Sequence, residues 1–275
     1  MRLLGQFGVE RAGEPVDVPA STHRLVAFLA LQGREVERGY ASASLWLDKS
    51  EQRAGANLRS ALWRLRQCPV ELVTVTATHV GLAAEVDVDA ADLLVRARTL
   101  IDERAGVDVD GMEVGDLARD LLPAWYDDFV ELERERFRQL RLHALEALAR
   151  RLLLAGRPAR ALDAALTALA ADPLRESAHR AVIEVHLAEG NVAEAVRQFT
   201  TLGAVLGAQL GIAPSSRTRA LVAAHLAGDR DPSAPGAGPA RPGDASGPGS
   251  DQLATGPARP VVQAQARRRS AAVLA

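Results

Sequence analysis

The sequence predicts a mainly α-helical fold in two domains, a small α+β winged helix-turn-helix followed by a domain of helical repeats. Three observations lead to this prediction. Residues 1–90 show short strand patterns, then three amphipathic helices, then a β-hairpin. From about residue 87 to about residue 226 the pattern is helical. Within that part, one stretch recurs at an offset of 34 residues, the period of tetratricopeptide repeats.

The composition is that of an ordinary globular protein without a general affinity for polyanions. The chain has 275 residues, of which 48% are hydrophobic and 25% charged, and its formal net charge is −2. Because the chain as a whole does not attract nucleic acid, we expect any nucleic-acid site to be confined to one surface.

The sequence contains no run of about 18 apolar residues. Residues 1–10 lack the basic segment, apolar segment and cleavage site of a signal peptide. We therefore expect no membrane contact and a cytoplasmic location.

The first elements are short. Residues 1–20 contain two apolar segments around a turn at Gly13, which predicts a small antiparallel sheet. Ser21 or Thr22 is expected to cap a first helix that runs to about residue 32. Gly33 then provides a C-terminal stop.

Two further helices and a hairpin follow. A short helix is expected near residues 41–47, with Leu45 and Trp46 directed inward, and a longer one over residues 51–67. Residues 70–82 then alternate as a β-hairpin. This order is the one that a winged helix-turn-helix requires.

The helix over residues 51–67 has two faces of opposite character. At about 100° per residue, one stripe is apolar and consists of Ala54, Leu58, Ala61, Leu62 and Leu65. The other arc contains Arg53, Ala56, Arg59, Ser60, Trp63, Arg64 and Arg66. Four arginines against one acidic residue give the helix a charge of +3. Arginine pairs with guanine or phosphate, so the helix is predicted to enter the major groove of DNA, the alternative being an ordinary solvated surface helix.

The second half shows an internal repeat. Residues 155–162 match residues 189–196, with Gly156 and Gly190 in equivalent positions and Asp172-Pro173 between the copies. Long amphipathic helices are expected over residues 128–154 and 158–171. The proline-rich segment 228–275 has no aromatic residue and is expected to be a disordered tail.

With these motifs in view, the chain resembles the Streptomyces antibiotic regulatory protein (SARP) family over about residues 1–227. In the front half the resemblance includes NLRSALWRLR at 57–66, and in the back half, where the match is closer, it includes DPLRESAHR at 172–180. Further matching segments lie at 4–7, 45–48, 86–89, 125–128, 133–136 and 210–215.

The resemblance implies a short-form SARP transcriptional activator. Its domains would be an OmpR-like winged helix at 1–90, a bacterial transcriptional activation domain (BTAD) of TPR-like helices at 91–227, and the tail at 228–275. The family binds direct repeats in promoter DNA as tandem copies, implying a homodimer on DNA, contacts RNA polymerase and often controls secondary-metabolite (antibiotic biosynthesis) genes. Carried over by position, the DNA-binding residues are Arg53, Asn57, Arg59, Ser60, Trp63, Arg64 and Arg66.

Two features depart from this pattern. The hairpin at 70–82 has no Arg or Lys, and residues 1–90 carry ten basic and eleven acidic residues. A TPR-like protein-interaction module that has lost DNA binding therefore stays open as the alternative function.

Enzymatic activity is not expected. The sequence contains no HExxH, GxSxG, P-loop or GxGxxG motif. Its one cysteine, Cys68, excludes an intramolecular disulfide and a CxxC metal site. We accordingly expect no catalytic residue, no metal and no cofactor.

Overall fold

A computed structural model describes residues 1–228 with the exception of Glu103 and Asp110. These residues belong to one compact unit. It is mainly helical, with a small β region at the N-terminal end, and the fold class predicted from the sequence is confirmed. Residues 229–275 of the predicted tail lie outside the described residues.

The helices are α1 (His23–Gln32), α2 (Arg38–Leu45), α3 (Glu51–Leu65), α4 (Asp89–Ile101), α5 (Val114–Ala118), α6 (Asp128–Leu154), α7 (Pro158–Ala171), α8 (Glu176–Ala188), α9 (Val192–Leu210) and α10 (Ser216–Gly228). The strands are β1 (Glu10–Arg11), β2 (Glu14–Pro15), β3 (Val36–Glu37), β4 (Val73–Val75) and β5 (His79–Leu82). A single 3-10 turn over Ala20–Thr22 leads into α1.

The strands form two small antiparallel sheets. β1 pairs with β2, so residues 1–20 contain a small antiparallel sheet, but its strands lie immediately beside the turn at Gly13 and not in the apolar segments where they were predicted. The second sheet has the order β3-β5-β4, so the predicted hairpin β4–β5, called the wing below, gains a third strand between α1 and α2. Val36 of β3 lies opposite Val80. β3 was not predicted from the sequence, because a strand of two residues is too short to show a periodicity.

The ends of α1 are only partly as expected. Gly33 adopts a left-handed φ of 62° and donates its amide to the Leu29 carbonyl, which confirms the predicted stop. The predicted cap by Ser21 or Thr22 is wrong, since α1 has no side-chain cap hydrogen bond. The buried Thr22 hydroxyl instead donates to the Pro19 carbonyl at 2.7 Å.

The next two helices differ slightly from their predicted bounds. α2 begins at Arg38 rather than near residue 41, directly after β3, and α3 ends at Leu65 rather than 67. Leu45 is buried as expected, whereas Trp46 follows α2 and is half-buried. Four residues of the apolar stripe of α3, Leu58, Ala61, Leu62 and Leu65, lie in the same core cluster as most of the buried residues of α1, so the opposite arc of α3 faces outward.

The helical half is a stack of antiparallel helices. α6 packs on α7, α7 on α8, and α8 on α9. α6 and α7 have the predicted bounds, and α7 and α9 begin 34 residues apart. Gly156 and Gly190 have φ values of 72° and 76°, left-handed turns that end α6 and α8. The fully buried Ala161 and Ala195 let neighbouring helices approach, so the repeat read from the sequence is a structural one.

The prediction of an unbroken helical run from residue 87 was wrong in two places. Among the described residues, 102–113 and 119–127 form loops apart from short turns. These loops pack under α6 and α7, and arginine side chains donate to several of their carbonyls. Gly106, Gly111 and Pro123 interrupt helical propensity there.

Three arginines of α6 hold these loops. Arg134 donates to the carbonyls of Leu121, Leu122 and Trp125 at 2.5–2.9 Å. Arg141, only 4% exposed, donates to Ala118 and Arg119 and pairs with Asp120 at 2.7 Å. Arg151 donates to Leu100, Asp102 and Ala105. The guanidinium fork suits this use because its several N–H groups reach more than one carbonyl at once.

The N-terminal strand segment joins the two halves. Leu122 donates its amide to Leu3 at 2.9 Å, and Gly5 donates to Asp120 at 2.8 Å. The Asp89 carboxylate, at the start of α4, accepts the amides of Leu3 and Leu4. Leu3 and Leu4 are consequently buried in the core of the helical half.

Side chains of α1 and α6 strengthen this junction. Arg24 forms an ion pair with Asp127 at 2.7 Å, next to the start of α6. The ring of Phe28 meets that of Phe129 edge-on at 5.4 Å. The winged-helix half and the helical half therefore share a continuous packed junction.

Arg134→Ala should lower the free energy of unfolding by about 3 kcal/mol, because it leaves three half-buried loop carbonyls without their charged donor. Arg136→Ala is the matched control, since Arg136 is exposed and pairs only with Glu133 one turn away. Urea unfolding of both variants tests this, and equal losses would show that the Arg134 contacts contribute nothing specific.

Glu176 joins α8 to α10. Its carboxylate accepts the Ser215 amide at 3.1 Å, the Ser215 hydroxyl, and the hydroxyl of the buried Thr218 at 2.5 Å. Desolvation of the carboxylate opposes ionisation, but the hydrogen bonds from Ser215 and Thr218 outweigh it and hold the pKa of Glu176 below its ordinary value of 4.5.

A lowered folded-state pKa means that ionised Glu176 stabilises the fold above pH 4.5 and that this contribution is lost as the pH falls below 4.5. Glu176→Gln should therefore destabilise the protein at pH 7, and its difference from wild type should shrink as the pH is lowered through 4.5. Glu85→Gln, at an exposed position outside the helical repeats, is the control. A Glu176→Gln difference that does not change with pH would contradict the assignment.

Candidate nucleic-acid interface

The site residues predicted from the sequence lie on the outer arc of α3 and its C-terminal end. This surface, called the arginine face, consists of Arg53, Asn57, Arg59, Ser60, Trp63, Arg64 and Arg66. All of these residues are exposed except Asn57, which is half-buried. Trp63 is 65% exposed, an unusual position for a large aromatic side chain with no core to join.

Five of the seven residues are brought together in one groove between α3 and the wing. This groove, called the first groove below, has a volume of about 520 Å³. Its lining consists of Arg38, Arg59, Ser60, Leu62, Trp63, Arg64, Arg66 and Val75. It thus contains four arginines and no acidic residue, in a half of the chain that has no positive net charge.

A second groove of about 480 Å³ lies on the other side of Arg59. It is bounded by the start of α2, the first turns of α3 and Ala77 at the tip of the wing. Arg38 and Arg59 line both grooves and so stand between them. Arg53 and Asn57 line neither, and the structure leaves them apart on the N-terminal part of α3.

Arg64 is held at one edge of the arginine face. Its guanidinium donates to the Ser21 hydroxyl at 3.2 Å, in the turn that precedes α1. A guanidinium has five N–H donors, so this bond leaves donors for an anion. Its position is therefore set by the protein before any ligand arrives.

Sequence reasoning missed Arg38. It lies outside the third helix, and the predicted second helix began three residues later. Its place in both grooves follows from the pairing of β3 with the wing, since β3 ends at the residue before Arg38. A basic residue at the start of the second helix was the only available sequence signal.

Chemically, the first groove suits a polyanion. Closely spaced arginines without acidic neighbours bind phosphates, and each guanidinium can also form two parallel bonds with the edge of guanine. An exposed tryptophan beside them offers an apolar surface for a sugar or a thymine methyl group.

Within residues 1–228 as described, no group of three or more His, Cys, Asp or Glu side chains could hold a metal ion. In the same part of the chain, no helix is long and apolar enough to cross a membrane.

A protein family matches the chain from the wing onward. Residues 73–226, from β4 into α10, match the family described as the bacterial transcriptional activator domain. This match covers more than half of the chain and confirms the resemblance to SARP-type regulators with this domain. The boundary predicted between residues 90 and 91 stays a prediction.

A solved structure of similar fold is that of Mycobacterium tuberculosis EmbR in complex with a low affinity phosphopeptide. The TM-score is 0.66 at 19% sequence identity, a level of identity that establishes the fold alone. The match covers 82% of this chain and 64% of the EmbR chain, so this chain spans less than two thirds of the EmbR length. No curated protein sequence shows a significant match.

Proposed function

The chain belongs to the bacterial transcriptional activator domain family, and on that premise we propose that it activates transcription by binding promoter DNA through α3. The observation that supports this most strongly is the first groove, where four arginines line the exposed side of α3 without an acidic residue. The local concentration of arginine provides the phosphate affinity that the net charge of −2 does not.

In the proposed complex, α3 lies in the major groove with its apolar stripe on the core of the winged-helix half. The DNA-contacting residues are those of the arginine face: Arg53, Asn57, Arg59, Ser60, Trp63, Arg64 and Arg66. Arg59, in the middle of α3 and between both grooves, is the residue best placed to reach a base edge. Arg64, bonded to Ser21 at the edge of the face, is better placed for a phosphate.

The further parts of the proposal rest on the family resemblance. They are binding of tandem copies to direct repeats, hence a homodimer on DNA, contact between the helical repeats and RNA polymerase, and control of a secondary-metabolite gene cluster. The packed junction around Leu3 and Asp89 supports a polymerase contact, because it fixes the repeats relative to α3. A promoter-binding role would place the protein in the cytoplasm, where bacterial promoters are.

The second candidate function is a TPR-like interaction module that no longer binds DNA. One observation favours it: the wing has no Arg or Lys. If this candidate is correct, substitutions in the arginine face leave the function of the protein unchanged. If the protein is a DNA-binding activator, the same substitutions weaken its function.

The deciding experiment is a gel shift of the full chain on the promoter DNA beside its own gene, with a salt series and random competitor DNA. A specific complex that weakens as salt rises supports the activator, because binding releases cations from the DNA phosphates and this release is less favourable at higher salt. Absence of a complex at low salt, with a cooperative melting transition showing that the protein is folded, would favour the interaction module.

Arg59→Ala and Arg64→Ala should each weaken operator binding by roughly 1–3 kcal/mol. If Arg59 contacts a base, Arg59→Ala weakens binding to the operator but not to random DNA. If Arg64 contacts a phosphate, Arg64→Ala weakens binding to both DNAs by the same factor. Arg219→Ala, at an exposed position on α10, is the control. Unchanged affinity in both α3 variants would rule out the assigned face.

A further inference from the structure

The wing has no permanently charged cation that could contact the DNA backbone. Its two strands and the turn between them, residues 73–82, contain no Arg or Lys. The polar side chains at its tip form hydrogen bonds within the wing. The Thr76 hydroxyl accepts the amide of His79 at 2.9 Å, and the Thr78 hydroxyl is hydrogen-bonded to the His79 ring at 2.9 Å.

Arg38, the first residue of α2, is attached to this tip by two bonds. Its amide donates to the Thr78 carbonyl at 2.9 Å, and its guanidinium donates to the Thr76 carbonyl at 3.3 Å. The preceding residue, Glu37, pairs with His79 of the wing. Arg38 is therefore part of the wing in space, although it belongs to α2 in sequence.

The Arg38 side chain also faces α3. It is half-buried and lines both grooves, as Arg59 does, and Val75 and Ala77 of the wing region lie beside it in the first and second groove respectively. A guanidinium that uses one N–H on Thr76 keeps further donors for an anion.

Resting on the proposed function, we propose that Arg38 binds a DNA phosphate on the wing side of α3 and so replaces the basic residue that the wing lacks. The contact is to the backbone and carries no sequence information. The wing itself acts as a support, since its tip carbonyls hold the Arg38 backbone and guanidinium in place.

The test compares Arg38→Gln, which removes the charge but keeps a donor for Thr76, with Arg38→Lys, which keeps the charge. Binding of the full chain to operator and to random duplexes is measured over a salt series. Arg38→Gln should weaken both by the same factor, on the order of tenfold at 0.1 M salt, and reduce the slope of log affinity against log salt by about 0.9. Arg38→Lys should keep the wild-type slope. Arg11→Gln, at an exposed position on β1 outside both grooves, should behave as wild type.

A charge placed on the wing separates this role from a purely structural one. Ala77→Arg in the Arg38→Gln background should restore the wild-type slope of log affinity against log salt. Ala77 is exposed and lines the second groove together with Arg38. Melting curves establish that each variant is folded.

Three results would overturn the proposal. A wild-type slope in Arg38→Gln would refute it and leave the proposed function intact. A loss confined to the operator would make Arg38 a base-reading residue. If the wild-type chain forms no complex with DNA, the proposed function and this inference fail together.

Discussion

The structure depends on the backbone pairing between the N-terminal segment and the loop before α6. Leu3 and Gly5 bond to Leu122 and Asp120, while Asp89 accepts the amides next to them. Two direct contacts between α1 and the start of α6 add to this pairing, the ring pair Phe28–Phe129 and the ion pair Arg24–Asp127. One side of α1 packs in the core cluster of the helical half. The other side packs with α3 in a second core cluster, and the arginine face of α3 lies outward.

Arginine serves two different purposes in this chain. In the helical half, Arg134, Arg141 and Arg151 are half-buried or buried, and their guanidinium groups donate to carbonyls of the loops. In the winged-helix half, Arg59 and Arg66 are exposed and line the first groove, whose lining includes no acidic residue. The residue type is the same, and only the surroundings decide whether its donors are used within the protein or are available to a ligand.

Elements with local patterns could be predicted from the sequence, and elements made by distant pairing could not. α6 and α7 have long amphipathic periods between clear glycine and proline stops, so their bounds agreed with the prediction. The strand β3 and the Leu4–Leu121 bridge depend on partners far along the chain, and neither leaves a local signal. The arginine face was readable because helical spacing places it opposite the apolar stripe, whereas Arg38 joins it only through β3. The role of these residues in DNA binding stays a prediction.

Amide hydrogen exchange of the full chain, measured with and without promoter DNA, tests the central claim most directly, because it reports where on the protein the DNA lies. Added protection is expected over α3, the start of α2 and the tip of the wing, with α6 and α7 unchanged. Protection confined to the helical repeats, or none in the presence of saturating DNA, would contradict it.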